Sequence, residues 1–335
     1  MLRRNHRCGE DGFLPPHEPV GRLWAVILAA GEGSRLRTLT TGLDGVPVPK
    51  QYCSFGQQET LLERTFGRAR RLAAPGQIVS VVAKGHRLWW EYLLDGPEGR
   101  NLIIQPENRG TAVGILLPLL HVFRQDPTAT VAILPSDHYV SREDVLHESL
   151  ARLAQAVHAG GNEVVLLGMT AEHPDTELGW IVPETDALGA AVPIRTFVEK
   201  PRADQAAHLM AQGALWSSFV MAGRVSAFFG LFERTFPWLL RTFLLNLRGD
   251  AGWSGRALEE LYHQLPSLDF SRDIVESVPE LARVLRAPSC GWSDLGTPGR
   301  LTRALGPQAA KLGRCLPPRG RLPPTIGAMG AASAT

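Results

Sequence analysis

An apolar run that passes without a break into a glycine turn constrains this chain most: Leu23-Trp24-Ala25-Val26-Ile27-Leu28-Ala29-Ala30 is followed directly by Gly31-Glu32-Gly33-Ser34-Arg35. Its length and apolar continuity are those of a strand buried on both faces, the condition of a strand inside a helix-covered parallel sheet. Gly31 and Gly33 remove side chains where the backbone must turn and come close to a ligand. Successive backbone N–H groups can then converge on an anion, and Arg35 adds a planar fork of donors. Lys50, in Val46-Pro47-Val48-Pro49-Lys50-Gln51-Tyr52, offers a second cation as a compact point charge. The third glycine of a GxGxxG dinucleotide fingerprint is replaced by Leu36, and no GxxxxGK[ST] phosphate loop occurs in the chain. Taken alone, the segment could equally be an ordinary strand-to-helix turn.

Downstream, strand and helix patterns alternate. The pattern predicts a helix over 59–72, a strand over 78–83, a helix over 86–94 and a strand over 102–105. A helix over 111–123, a strand over 130–134, a helix over 142–158 and a strand over 163–169 follow. Beyond 170 the pattern loosens into short strands at 180–183 and 194–198, helical segments to about 264, and one more strand at 281–286. This alternation predicts an α/β fold, a Rossmann-like mixed, mostly parallel sheet flanked by helices. The globular part is expected over 21–305. The first 20 residues and 306–335 are rich in Pro, Gly, Arg and Ala without periodicity, and read as flexible tails.

Six segments, in order, resemble the sugar-1-phosphate nucleotidyltransferases, most closely the mannose-1-phosphate guanylyltransferases. They are the opening signature (Gly31, Gly33, Arg35, Leu36, Pro49, Lys50, Gln51), Gln105–Ala112 (QPENRGTA), Leu134–Val140 (LPSDHYV), Glu177–Ile181 (ELGWI), Phe197–Pro201 (FVEKP) and Gly291–Thr297 (GWSDLGT). The resemblance implies the nucleotide-diphospho-sugar transferase type of fold, with the sugar-binding part at about 170–300. It also implies that Leu28, Ala30, Gly31, Gly33, Gln105, Arg109 and Thr111 bind the nucleotide and that Gly179, Glu199 and Ser217 bind the sugar. The implied reaction joins a nucleoside triphosphate, GTP by closest resemblance, to a sugar 1-phosphate, mannose 1-phosphate, giving GDP-mannose and pyrophosphate. The isomerase-like domain of the long bifunctional forms has no counterpart here, so that second activity is not expected.

The residue types suit this chemistry. In-line attack of a phosphate oxygen on the α-phosphorus leaves little covalent work to the protein, which must supply positioning and positive charge. Arg35 and Lys50 can serve the triphosphate and Lys200 the incoming sugar phosphate, which makes these three the catalytic candidates. Mg²⁺ binds through one or two carboxylates plus substrate phosphates, and Asp137 and Asp294 are its candidate ligands. Asp137 ends the apolar run 131–135, where ligands of open α/β sheets sit, although a helix N-cap or turn is the ordinary role of such an Asp. Asp294 could likewise be a turn residue. His138 is expected to make a structural hydrogen bond, because an ionised phosphate needs no base. Trp180 and Trp216 are read as core aromatics before sugar contacts.

The chain departs from the family pattern at several positions. Arg37 and Thr38 stand for Trp-Pro, Ser217 and Phe219 stand for Asn and Gly, and Gly110 stands where Asn is frequent. Base and sugar preference therefore stay open, as does a catalytically silent nucleotide-sugar-binding relative that regulates a partner. An unrelated α/β protein whose glycine loop holds another phosphate ligand is the third reading. With 35 basic and 33 acidic residues, a net charge of +2, no overall field favours nucleic acid. Cys8, Cys53, Cys290 and Cys315 form no CxxC pair and are expected as free thiols in a reducing compartment. No run approaches the ~20 apolar residues of a membrane span. The expected partners are the two substrates, with no nucleic acid and no membrane, in the cytoplasm; a homo-oligomer stays open.

Overall fold

In the computed structural model, which describes residues 23–41, 45–185, 189–247 and 255–307, the opening run forms β1 (Leu23–Ala29). It is buried on both faces. Leu23, Ala25, Ile27 and Ala29 join one hydrophobic cluster while Trp24 and Val26 join the other, the period-2 alternation of a strand between two layers. Around it stand β2 (Ile78–Ala83), β3 (Leu102–Gln105), β4 (Thr130–Pro135), β6 (Val164–Thr170), β7 (Gly179–Pro183), β8 (Val192–Glu199), β9 (Leu215–Arg224) and β10 (Ala282–Ala287). The order is β3-β2-β1-β4-β9-β6-β10-β8-β7, with β7 also pairing β9. A separate pair joins β5 (Tyr139–Val140) to β11 (Trp292–Ser293).

The half β3-β2-β1-β4 is parallel, as is the β6–β10 pair, while β9 runs antiparallel to β4, β6 and β7. The sheet is thus mixed, and its parallel half is the part read from the alternating pattern. One face is covered by helices Leu61–Leu72, Glu143–Ala159 and Ala203–Ala211, the other by Gly110–Gln125, Val225–Thr235, Pro237–Asn246 and Gly255–Gln264. Leu61–Leu72 starts at a reciprocal cap. The Thr60 hydroxyl accepts from Glu63 N–H, and the Glu63 carboxylate accepts from Thr60 N–H.

Three expectations are corrected. The segment 86–94 is not one helix; a single α-turn, Arg87–Trp90, passes into a 3₁₀ turn, Glu91–Asp95. Residues 215–224, read as part of a helical stretch, are the central strand β9. Its apolar run is interrupted by Ser217 and Ser218, so period alone does not distinguish it from a buried helix, and its partners lie far away in sequence. Cys290 is a buried free thiol as expected, but Cys53 is disulfide-bonded. Cys8, Cys315, the first 20 residues and 308–335 lie outside the described residues. No helix among the described residues is long and apolar enough to cross a membrane.

Gly110 opens the helix Gly110–Gln125 with φ +80°, and a Cβ there would lie 2.2 Å from the Leu268 carbonyl oxygen. The neighbouring backbones are joined by Ala112 N–H to Leu268 O and by Leu268 N–H to Arg109 O. Only glycine combines that conformation with that approach, which accounts for its presence where the family often has Asn. Gly110→Ala is expected to cost about 2 kcal/mol of stability, read as a lower denaturation midpoint. An unchanged midpoint would contradict the close approach.

Candidate active site

The carboxyl ends of β1 and β4 are tied together before any ligand is considered. Ser136 donates from both its backbone N–H and its hydroxyl to the Leu28 carbonyl, at 3.2 and 2.7 Å. The Gln51 side-chain amide donates to Ala29 O at 2.9 Å and to Gly31 O at 3.1 Å, so the start of the glycine turn is held by the segment that carries Lys50. Gly33 takes φ +59°, and a Cβ there would meet the Lys50 Cβ and N at 3.0 and 3.1 Å. The second glycine is therefore required for close packing on Lys50 as well as for the turn.

Behind β4, the loop carrying Asp137 is pinned from below. Arg68, buried, donates to both Glu143 carboxylate oxygens and to His138 O, and Arg64 donates to Glu143 and Val140 O. This bidentate pairing orients the strand end rather than facing solvent. His138 is buried; its Nδ1 accepts from the Trp292 indole N–H at 3.3 Å. Burial pushes its pKa down to about 4, with Asp137 opposing, so the ring is neutral at neutral pH and plays the structural part expected of it.

A cleft of about 310 Å³ opens above these strand ends. Of the residues singled out in the sequence, it gathers Leu28, Gly31, Arg35, Lys50, Thr111, Asp137, Gly179, Glu199, Lys200, Ser217 and Asp294. Ala30, Gly33, Gln105 and Arg109 stand outside its lining. Gln105 is buried and donates to Glu107 O, and Arg109 turns to the Glu107 carboxylate and His263 O. Trp180 and Trp216 are buried core residues, Trp180 donating its indole N–H to Asp175 O.

Charges in the cleft are already paired. The buried Lys50 ammonium lies 2.7 Å from Asp137 Oδ2 and donates to Asp294 O at 2.5 Å, placing it between the two candidate metal residues. Burial works to raise the Asp137 carboxyl, but the Lys50 ammonium outweighs it and holds Asp137 below the usual aspartate value of 3.8. Arg35 pairs with Glu177 across the mouth at 2.7 Å, both half exposed, and Lys200 pairs with Glu199 at 3.0 Å. The exposed Arg35–Glu177 pair exchanges partners at little cost, about 0–1 kcal/mol, and the Lys200 ammonium is itself half exposed although Glu199 is mostly buried, so both cations are accessible to phosphate. Burial raises the Glu199 pKa against the pull of Lys200.

Sequence reasoning missed Arg300. Its buried guanidinium donates through Nη1 to both Asp294 oxygens, at 2.8 and 2.7 Å, and through Nε and Nη2 to the Asp175 carboxylate. Asp175 in turn accepts from Glu177 N–H. Nothing in local sequence pairs residues 125 apart, although an arginine six residues after Asp294 was a visible signal. Asp137 and Asp294 present only oxygen donors; Asp294 Oδ1 accepts from both Arg300 and Gly296 N–H, but Oδ2 keeps a lone pair beyond its Arg300 bond, so the pair fits a hard divalent cation completed by substrate phosphates. Among the described residues no three His, Cys, Asp or Glu side chains form a metal cage of their own.

Backbone strain concentrates here too. Of the non-glycine residues with positive φ among those described, Lys200 (+49°) and Phe219 (+59°) line the cleft and Leu295 (+47°) follows Asp294. Such conformations cost about 1–3 kcal/mol each and gather at functional sites.

Removing Arg300 takes the guanidinium from the buried Asp175 carboxylate and from Asp294 at once, so Arg300→Met should cost about 3–5 kcal/mol in chemical denaturation at neutral pH. The pH dependence should change sign as well. Despite burial, hydrogen bonding from Arg300 holds Asp175 below its usual 3.8, so the stabilisation of the native protein is present above that value and lost as pH falls through the lowered one. In Arg300→Met the buried Asp175 carboxylate, without its guanidinium, should instead make stability rise on mild acidification; a pH profile identical to the native one would refute the fork.

The same cleft and strand order can be set beside known proteins. Residues 24–230, more than half of the chain, match the model of the family described as "Nucleotidyl transferase". A Vibrio cholerae protein named "Putative mannose-1-phosphate guanylyltransferase" is 27% identical over 279 residues, 81% of this chain and 58% of the relative. The alginate biosynthesis protein AlgA of Pseudomonas syringae pv. tomato is 28% identical over 281 residues, 81% of this chain and 56% of the relative. The chain thus spans a little over half the length of these relatives. A solved Thermus thermophilus structure, described as a mannose-1-phosphate geranyltransferase, superposes with a TM-score of 0.71 at 28% identity, covering 84% of this chain and 79% of that one. The fold that carries the cleft is therefore a known one, and the chain belongs to the nucleotidyl transferase family.

Proposed function

We propose that this protein is a Mg²⁺-dependent nucleotidyltransferase that joins a nucleoside triphosphate to a sugar 1-phosphate, with GTP and mannose 1-phosphate as first candidates and GDP-mannose and pyrophosphate as products. The observation that carries the reading is the convergence of Arg35 and Lys50 of the opening segment with Lys200, Asp137 and Asp294, each from a different later segment, in one cleft. The names of the guanylyltransferase and AlgA relatives support the substrates and a place in polysaccharide synthesis.

In the proposed reaction an ionised oxygen of the sugar phosphate attacks the α-phosphorus, and the bond to the β-phosphate oxygen breaks, its electron pair leaving on pyrophosphate. The attacking oxygen needs no base, consistent with a neutral, buried His138. Arg35 and the glycine turn would hold the triphosphate, Lys50 would compensate charge near the α-phosphate, and Lys200 would orient the sugar phosphate for in-line approach. Asp137 and Asp294 would hold Mg²⁺, which supplies charge neutralisation on the phosphates. Gly179, Glu199 and Ser217 would contact the sugar, and Leu28, Gly31 and Thr111 the nucleotide. The cytoplasm is the proposed compartment, with no nucleic acid among the partners and self-association open.

Pyrophosphate release should appear with Mg²⁺ for one pairing of triphosphate and hexose 1-phosphate, and be lost on chelation. Asp137→Asn, close to isosteric, should lower kcat by roughly a hundredfold or more, and Lys200→Ala should act mainly on use of the sugar phosphate. Binding of nucleotide sugar without release from any pairing would favour the regulatory reading instead.

A further inference from the structure

Between its two ladders β9 carries a bulge. Gly168 of β6 faces Ser217 and Leu166 faces Met221, so Leu167 stands opposite three residues, Ser218, Phe219 and Val220. The Ser218 hydroxyl fixes the bulge by donating to Leu167 O and accepting from Val220 N–H. Such bulges re-aim side chains beside functional sites. Here the residue turned out of the ladder is Phe219, at φ +59°, a conformation natural to glycine and strained for a bulky residue.

Phe219 is not buried away. It is half-buried and lines the cleft with Glu199, Lys200 and Ser217. Its ring meets the fully buried Phe270 edge-on, 6.3 Å between centroids, and Phe270 N–H is held by the hydroxyl of Thr111, another residue of the cleft lining. The ring is therefore a fixed wall and not a mobile filler. The other groups named at this end, Glu199, Lys200 and Ser217, hydrogen-bond readily to hydroxyls; the phenyl ring has no such capacity.

Resting on the nucleotidyltransferase reading, we propose that Phe219 determines which sugar 1-phosphate is accepted, favouring a pyranose that carries no hydroxyl where it faces the ring, a deoxyhexose 1-phosphate. A hydroxyl pressed against the ring loses its water and gains no partner, whereas a C–H surface there loses nothing.

The test is kcat/KM for mannose 1-phosphate and its monodeoxy analogues, in the native protein and in Phe219→Gly and Phe219→Ala. Glycine accepts the backbone conformation, and both variants delete the ring. The native protein should prefer one deoxy analogue over the parent by roughly tenfold, and both variants should reduce that preference to near unity or reverse it. Turnover in which the parent sugar is preferred by the native protein, or in which the variants keep the native ranking, would overturn this inference alone. Absence of turnover with every sugar would overturn the reading beneath it and this inference with it.

Discussion

A buried lysine must be paired or neutral, and the way Lys50 meets that condition organises the site. Its ammonium lies between the Asp137 carboxylate and the Asp294 carbonyl, joining a loop after β1, the end of β4 and the segment after β11. The network continues through Arg300 to Asp175, whose carboxylate holds the Glu177 backbone, while the Glu177 side chain reaches back to Arg35 on the glycine turn. Charged groups from distant places in the sequence thus form one circuit around the cleft. Each buried member would be costly alone, and together they fix the geometry that positioning catalysis needs.

The circuit also describes a cleft poised for exchange. Polyphosphate entering it would offer Arg35 and Lys200 stronger partners than Glu177 and Glu199, and a divalent cation would compete with Lys50 for Asp137. The strained conformations at Lys200, Phe219 and Leu295 follow the same rule, since packing elsewhere holds in place what local preference disfavours.

The parallel half of the fold was legible because its central strands β1 and β4, like β6 beyond it, are buried on both faces and must read as unbroken apolar runs. β9 was not, because Ser217 and the bulged Ser218 interrupt its apolar run and its pairing with β4 and β6 is set by contacts far away in sequence. At the site, the cations and the two aspartates were readable as residue types in an ordered set of motifs. That Lys50 is engaged by both aspartate segments was not, nor was the Arg300–Asp175 pairing, because the Lys50–Asp294 and Arg300–Asp175 bonds span 244 and 125 residues and leave no local pattern. Phe219 announced itself as a departure, but only the folded backbone reveals a glycine-like conformation beneath a phenylalanine side chain.

The most direct test is a crystal structure with Mn²⁺, as an anomalous stand-in for Mg²⁺, and a nucleotide sugar. A metal peak is predicted against the Asp137 and Asp294 carboxylates, with the diphosphate lying between the Arg35 turn and Lys200. A nucleotide sugar bound away from these strand ends, or a metal peak that avoids both aspartates, would contradict the proposed site.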